Sequence, residues 1–182
     1  TRSPECVALI LGAALAGRAF ACLNQRLKPP QVARIAALAG ASRLATDESG
    51  GRLLRRGLPG LGALQVWTPD AAAVDGEPDW PTLAARTRAM AESLDAERPA
   101  CCLFTSGSTG DPKGVLISGG DLERRASVEV DCYGLTSADR LLNVLPFAFD
   151  VGLNQLLTAL LSGAALLMMD SWLPKDLLDV VQ

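Results

Sequence analysis

Residues 103–115 read Leu-Phe-Thr-Ser-Gly-Ser-Thr-Gly-Asp-Pro-Lys-Gly-Val. Thr105, Ser106, Gly107, Ser108, Thr109 and Gly110 place four hydroxyls and two glycines in six consecutive positions, and Lys113 follows. Glycine lets the backbone take positive φ and come close to a ligand. Successive N–H groups in such a loop form a concave nest for anions. The hydroxyls add donors, and the lysine adds a mobile point charge. The chemistry that fits these residue types is holding a polyphosphate.

The order is not that of the common phosphate loop, where the lysine directly follows the second glycine. Here Asp111 and Pro112 separate Gly110 from Lys113. The flanks differ as well. Ala100 to Phe104 reads as a buried strand, and Val115 to Ile117 reads as another. Strand, glycine-rich loop, strand predicts a hairpin whose tip closes over phosphates.

A second constellation is Leu145-Pro-Phe-Ala-Phe-Asp150-Val-Gly-Leu-Asn154. It lies between a predicted strand, Leu141 to Pro146, and a leucine-striped helix. Ligands in α/β sheets gather at the carboxyl ends of strands. Asp150 is therefore placed either to meet a ligand or to cap the helix and satisfy its free N–H groups. The residues alone leave both readings open.

Thr105 to Gly114 resembles, without a gap, the T-S-G-[ST]-T-G-x-P-K-G signature of adenylate-forming enzymes. That family includes acyl-CoA synthetases, luciferases and peptide-synthetase adenylation domains. The resemblance implies ATP, whose β- and γ-phosphates would be held by Thr105, Ser106, Gly107, Ser108, Thr109, Gly110 and Lys113. It implies Mg2+ as well, with ligands largely outside these residues. The reaction it implies joins a carboxylate to the α-phosphate, releasing pyrophosphate. Phe149-Asp150 resembles the amino-acid-activating branch, where the aspartate meets the substrate's amino group. By the same register Phe149, Asp150, Val151 and Asn154 line the acid pocket. Peptide-synthetase relatives carry serine and tryptophan where this chain has Gly152 and Asn154. The Phe-Asp-x-Gly-Leu-Asn-Gln form is closer to a bacterial acyl-CoA ligase subgroup. The substrate is thus expected to be a carboxylic acid or an amino acid, and the acceptor coenzyme A or a carrier protein.

The resemblance also implies that residues 1–182 correspond to an incomplete N-terminal AMP-binding domain. The Tyr-Gly-x-Thr-Glu motif, the hinge and the C-terminal domain with its catalytic lysine have no counterpart here. No catalytic residue is therefore assigned, and efficient adenylation by these residues alone is not expected. The alternatives are a truncated nucleotide-binding or interaction module without chemistry, and an unrelated α/β protein. An open sheet edge and an uncovered helix face would favour a homodimer.

Composition sets outer bounds. Hydrophobic residues make up 49% and charged residues 20%, with a net charge of −3. These are the proportions of a globular domain with a sizeable core. Nothing basic favours nucleic acid. Five cysteines without a C-x-x-C pair, and no histidine, make a zinc site an unfavoured reading. They point to a reducing, cytoplasmic setting. The apolar run Val7 to Ala16 is too short to span a bilayer and is read as a buried helix.

The elements that must position the two constellations follow from pattern. Phe20 to Leu23 reads as a short strand. Pro29 and Pro30 open a helix with Val32, Ile35, Leu38 and Ala39 on its buried stripe, stopped by Gly40. Ser42 to Thr46 reads as a strand. Thr46 to Asp79 reads as loop with short strands such as Ala63 to Trp67. Leu83 to Leu94 reads as a helix. Asp121 is expected to cap a helix over Leu122 to Tyr133, with Arg124 and Arg125 on its solvated face. Leu153, Leu156, Leu157, Leu160 and Leu161 form the stripe of the helix closed by Gly163. Ala165 to Met169 reads as a strand, and Pro174 opens a last helix. Alternating strands and helices predict an α/β fold with a substantially parallel sheet.

Overall fold

A computed structural model of the chain describes residues 3–57, 65–67, 96–106, 112–169, 173, 175–176 and 178. The predicted helix over Leu83 to Leu94 lies outside the described residues, as does most of the predicted helix from Pro174.

Helix α1 (Pro4–Leu15) starts where Ser3 caps it: the Cys6 N–H donates to Ser3 Oγ at 3.3 Å. Proline at N1 loses no helical hydrogen bond there. Ile10 of α1 is buried with Cys101, Leu103, Phe147, Leu153 and Leu156. These residues form one core under both constellations. The predicted strand Phe20 to Leu23 shortens to one parallel bridge. The Phe20 N–H donates to the Ala100 carbonyl, and Cys102 N–H donates to the Phe20 carbonyl.

Helix α2 (Pro29–Leu38) buries Val32, Ile35 and Ala36. Leu38 is 60% exposed, contrary to the expected stripe. At roughly 100° per residue, Leu38 lies about 120° around the helix from Val32, whereas Ala36 lies close to it. Ala39 is the exposed C-cap, and Gly40 takes φ +60° beyond it.

Strand β1 (Arg43–Ala45) pairs in parallel with β2 (Gln65–Trp67). Between them α3 (Glu48–Gly57) corrects the expectation of loop from Thr46 onward. The Gly50-Gly51 pair obscured it. Asp47 starts the helix by accepting the Gly50 N–H at 2.7 Å, and Leu54 supplies a buried anchor.

Strands β3 (Pro99–Ser106) and β4 (Pro112–Ser118) form the predicted antiparallel hairpin. Helix α4 (Gly119–Tyr133) follows at once. Its cap is Ser118, not Asp121: the Asp121 N–H donates to Ser118 Oγ at 3.1 Å. Asp121 instead lies in the first turn, where a negative charge suits the helix dipole. Gly134 closes α4 at φ +62°.

Strand β5 (Arg140–Asn143) and β6 (Ala165–Met168) pair in parallel, joined through α5 (Asp150–Ser162). Gly163 ends α5 in the left-handed conformation. Leu153 and Leu156 are buried, but Leu160 and Leu161 are about half exposed. The architecture is α/β, as expected. Among the described residues it comprises two parallel strand pairs and one antiparallel hairpin.

Candidate active site

The hairpin register brings the two ends of the glycine-rich segment together. Phe104 sits opposite Gly114, Thr105 opposite Lys113, and Ser106 opposite Pro112. Gly114 is closely approached: a Cβ there would meet the Cys102 Sγ and Phe104 Cε1 side-chain atoms at 3.0 Å. Thr105 and Lys113 are exposed at the end of the hairpin where the glycine-rich segment joins the two strands. The register therefore sets a lysine directly across from a hydroxyl-bearing residue. Gly107, Ser108, Thr109 and Gly110 lie outside the described residues, and so does the side chain of Ser106.

The second constellation is built on the turn between β5 and α5. Phe147 is buried and anchors that turn in the core. The Phe149 N–H donates to the Pro146 carbonyl at 3.0 Å, and Leu153 N–H donates to the Phe149 carbonyl at 3.0 Å. Asn143, fully buried at the end of β5, braces the same turn. Its Nδ2 donates to the Gly152 carbonyl at 3.0 Å and to Gln155 Oε1 at 2.9 Å. Its Oδ1 is buried without a hydrogen-bond partner among the described residues. Gly152 lies so close to the Leu145 and Pro146 carbonyls that a Cβ would overlap both.

Phe149 is the N-cap of α5, in extended conformation, and Asp150 is its first helical residue. Phe149, Asp150 and Val151 are exposed beside the turn, whereas Asn154 is buried at 7% exposure. Helical spacing places Asn154 one turn below Asp150. The reading of Asp150 as a pure side-chain cap is corrected by its partner. No side-chain cap bond is made at this helix start. The Arg125 guanidinium of α4 donates from Nη2 to Asp150 Oδ2 at 2.7 Å.

Arg125 therefore leaves the purely solvated role expected of it, while Arg124 keeps one by pairing locally with Asp121. The contact spans 25 residues and had no local signal in the sequence. Asp150 pushes the Arg125 pKa up, mainly through this hydrogen bond. A second tie joins the same two helices: Thr158 Oγ1 donates to Glu129 Oε2 at 3.0 Å.

Below the site, all five cysteines are free. Burial, with lesser contributions from Cys102 and Asp150, pushes the Cys101 thiol up to about 12. Cys22 is pushed up further, again chiefly by burial. These thiols are core residues rather than nucleophiles. Among the described residues no group of three or more Cys, Asp or Glu is positioned to hold a metal ion. No helix among them is long and apolar enough to cross a membrane.

The hairpin that carries Thr105 and Lys113, and the carboxylate Asp150 that follows β5, belong to one α/β fold. Residues 1–182 match the AMP-binding enzymes, and the chain belongs to that family. It is 32% identical over 184 residues to a linear gramicidin synthase from Brevibacillus parabrevis, covering 100% of this chain and 3% of that protein. It is 28% identical over 179 residues to the D-alanine–D-alanyl carrier protein ligase of Listeria monocytogenes, covering 98% of this chain and 33% of the ligase. Its fold is that of ATP-bound MatB from Rhodopseudomonas palustris, with a TM-score of 0.81 and 23% identity. That match covers 98% of this chain and 35% of MatB. The chain thus spans about a third, or far less, of the length of these proteins.

Proposed function

We propose that this chain supplies the phosphate clamp and part of the acid seat of an ATP-dependent ligase. Such an enzyme forms an acyl- or aminoacyl-adenylate and releases pyrophosphate. The observation that carries the reading is the hairpin register that sets Lys113 opposite Thr105 where the glycine-rich segment leaves and rejoins the strands. Lys113 there is a point charge for the β- and γ-phosphates and for the departing pyrophosphate. The hydroxyls of Thr105, Ser106, Ser108 and Thr109 donate to phosphate oxygens, and Gly107 and Gly110 let the backbone approach. Positioning and charge stabilisation of this kind dominate reactions at phosphorus. Magnesium, when bound with the nucleotide, neutralises phosphate charge. Phe149, Asp150, Val151 and Asn154 seat the acid, held in place by Asn143 and Phe147 below. The acceptor of the activated acyl group is coenzyme A or a carrier protein.

A thermal-shift titration with Mg-ATP, run beside Lys113→Ala, tests the clamp. Nucleotide at a hundred times its dissociation constant stabilises a fold by roughly 2.7 kcal/mol, a rise of several degrees. The rise is expected in the wild-type chain and is expected to be lost in Lys113→Ala. An equal rise in both would remove Lys113 from the clamp. No rise in either would refute phosphate binding by this chain.

A further inference from the structure

Asp150 is the one carboxylate in the turn between β5 and α5, and Arg125 already holds it. The two side chains are 46% and 50% exposed, so a ligand at the turn meets the pair and not a bare anion. Arg125 uses one Nη2 bond for Asp150. Its remaining N–H groups have no hydrogen-bond partner among the described residues, out of five donors in a planar fork. Among the described residues Glu129, one turn further along α4, also acts on Arg125, and Asp121 lies one turn before Arg125. The Glu129 carboxylate accepts from the buried Thr158 hydroxyl, which ties it to α5.

An ammonium arriving at Asp150 must compete with a guanidinium seated at 2.7 Å, and it brings a second positive charge beside the first. A neutral hydroxyl meets no such conflict. It can donate to Asp150 Oδ1 and accept from a free Arg125 N–H, leaving the ion pair intact. Without Arg125, Asp150 would face a ligand as an uncompensated carboxylate, which favours a cation.

We propose that Arg125 is a specificity-determining residue of the acid seat, selecting acids that carry an uncharged polar group, a hydroxyl above all, where an amino acid carries its ammonium. The proposal rests on the acid-seat reading of residues 149–154 given above. It names the substrate class of that seat as hydroxy acids rather than amino acids.

The test uses small matched probes: lactate against alanine, 3-hydroxypropionate against β-alanine, and propionate. Binding is read by saturation-transfer NMR with Mg-ATP present, on the wild-type chain, Arg125→Met and Arg125→Lys. A hydrogen bond to a charged group corresponds to on the order of tenfold in affinity. The wild type is expected to favour the hydroxy acid of at least one pair by about that factor. Arg125→Met is expected to invert the order, and Arg125→Lys to keep it. The pair is half exposed, so loss of Arg125 changes the melting temperature little. A wild type that prefers the amino acids, or an order unchanged in Arg125→Met, overturns the proposal and leaves the acid seat standing. No binding of any probe to any of the three overturns the acid seat, and the proposal with it.

Discussion

Gly152→Ala sets two effects of opposite sign against each other. Gly152 lies in the first turn of α5 and is buried. On intrinsic propensity, alanine in a helix is about 1 kcal/mol better than glycine. The structure predicts the reverse here. A Cβ at this position would overlap the Pro146 and Leu145 carbonyl oxygens. Those atoms are backbone, in a turn pinned by the Phe149–Pro146 hydrogen bond and by buried Phe147. Neither can swing aside as a flexible side chain would. Overpacking of this kind costs roughly 1–3 kcal/mol, and a clash with fixed backbone belongs at or above the upper end. Subtracting the propensity gain leaves a loss of roughly 2 kcal/mol. For a chain of this size that lowers the melting temperature by roughly 4–8 °C. The relief must come from moving the turn, which carries Phe149 and Asp150. The assay is calorimetry of the wild type and Gly152→Ala, with the Arg125–Asp150 contact followed through the Arg125 Nε–Hε resonance by NMR. A melting temperature that rises by roughly 2–4 °C, as propensity alone requires, would refute the close packing of Gly152.

Two further outcomes follow from local chemistry. The Gly50 N–H and the Ser49 hydroxyl, in that order of effect, hold the Asp47 carboxyl below its ordinary value of 3.8. A folded-state pKa lowered in this way gives stability that is present above 3.8 and lost as pH falls from there through the folded value. Asp47→Ala should therefore cost about 1 kcal/mol at neutral pH, as loss of a helix cap does, with the difference shrinking on acidification. Denaturant titrations at pH 7 and pH 3 check it, and an equal difference at both would contradict the cap. In a thiol-labelling time course at pH 8, exposed Cys132 should react first and part-buried Cys6 and Cys22 more slowly, while buried Cys101 and Cys102 wait for unfolding. Fast labelling of Cys101 or Cys102, located by peptide mapping of a Cys132→Ser chain, would show that the core under the hairpin is open.

Much of the site was legible because it is local. Thr105 to Gly114 is one contiguous stretch, and the apolar runs on both sides of it identify the two strands of the hairpin. Gly40, Gly134 and Gly163 end three helices at positive φ, since a residue without Cβ takes that conformation at no steric cost. Where several side-chain acceptors could serve one helix start, sequence chose the wrong one. Asp121 has the right side chain, but Ser118 stands at the end of β4, where the hairpin delivers the chain. Helix α3 was missed because two glycines argued against it. Burial of Leu54 and the Asp47 cap outweigh their unfavourable propensity.

The sequence by itself determined the chemistry on offer: a run of hydroxyls and glycines with a lysine in register, and an aspartate at a helix start. Those follow from residue type and short spacing, which folding does not alter. Only the tertiary structure decided what Asp150 is. As a side chain in a sequence it could cap a helix or meet a ligand. The packing of α4 against α5 brings Arg125 to it across 25 residues and ties the helices again through Glu129 and Thr158. A charge takes its character from its nearest partner, and a partner that arrives by helix packing leaves no periodicity to read.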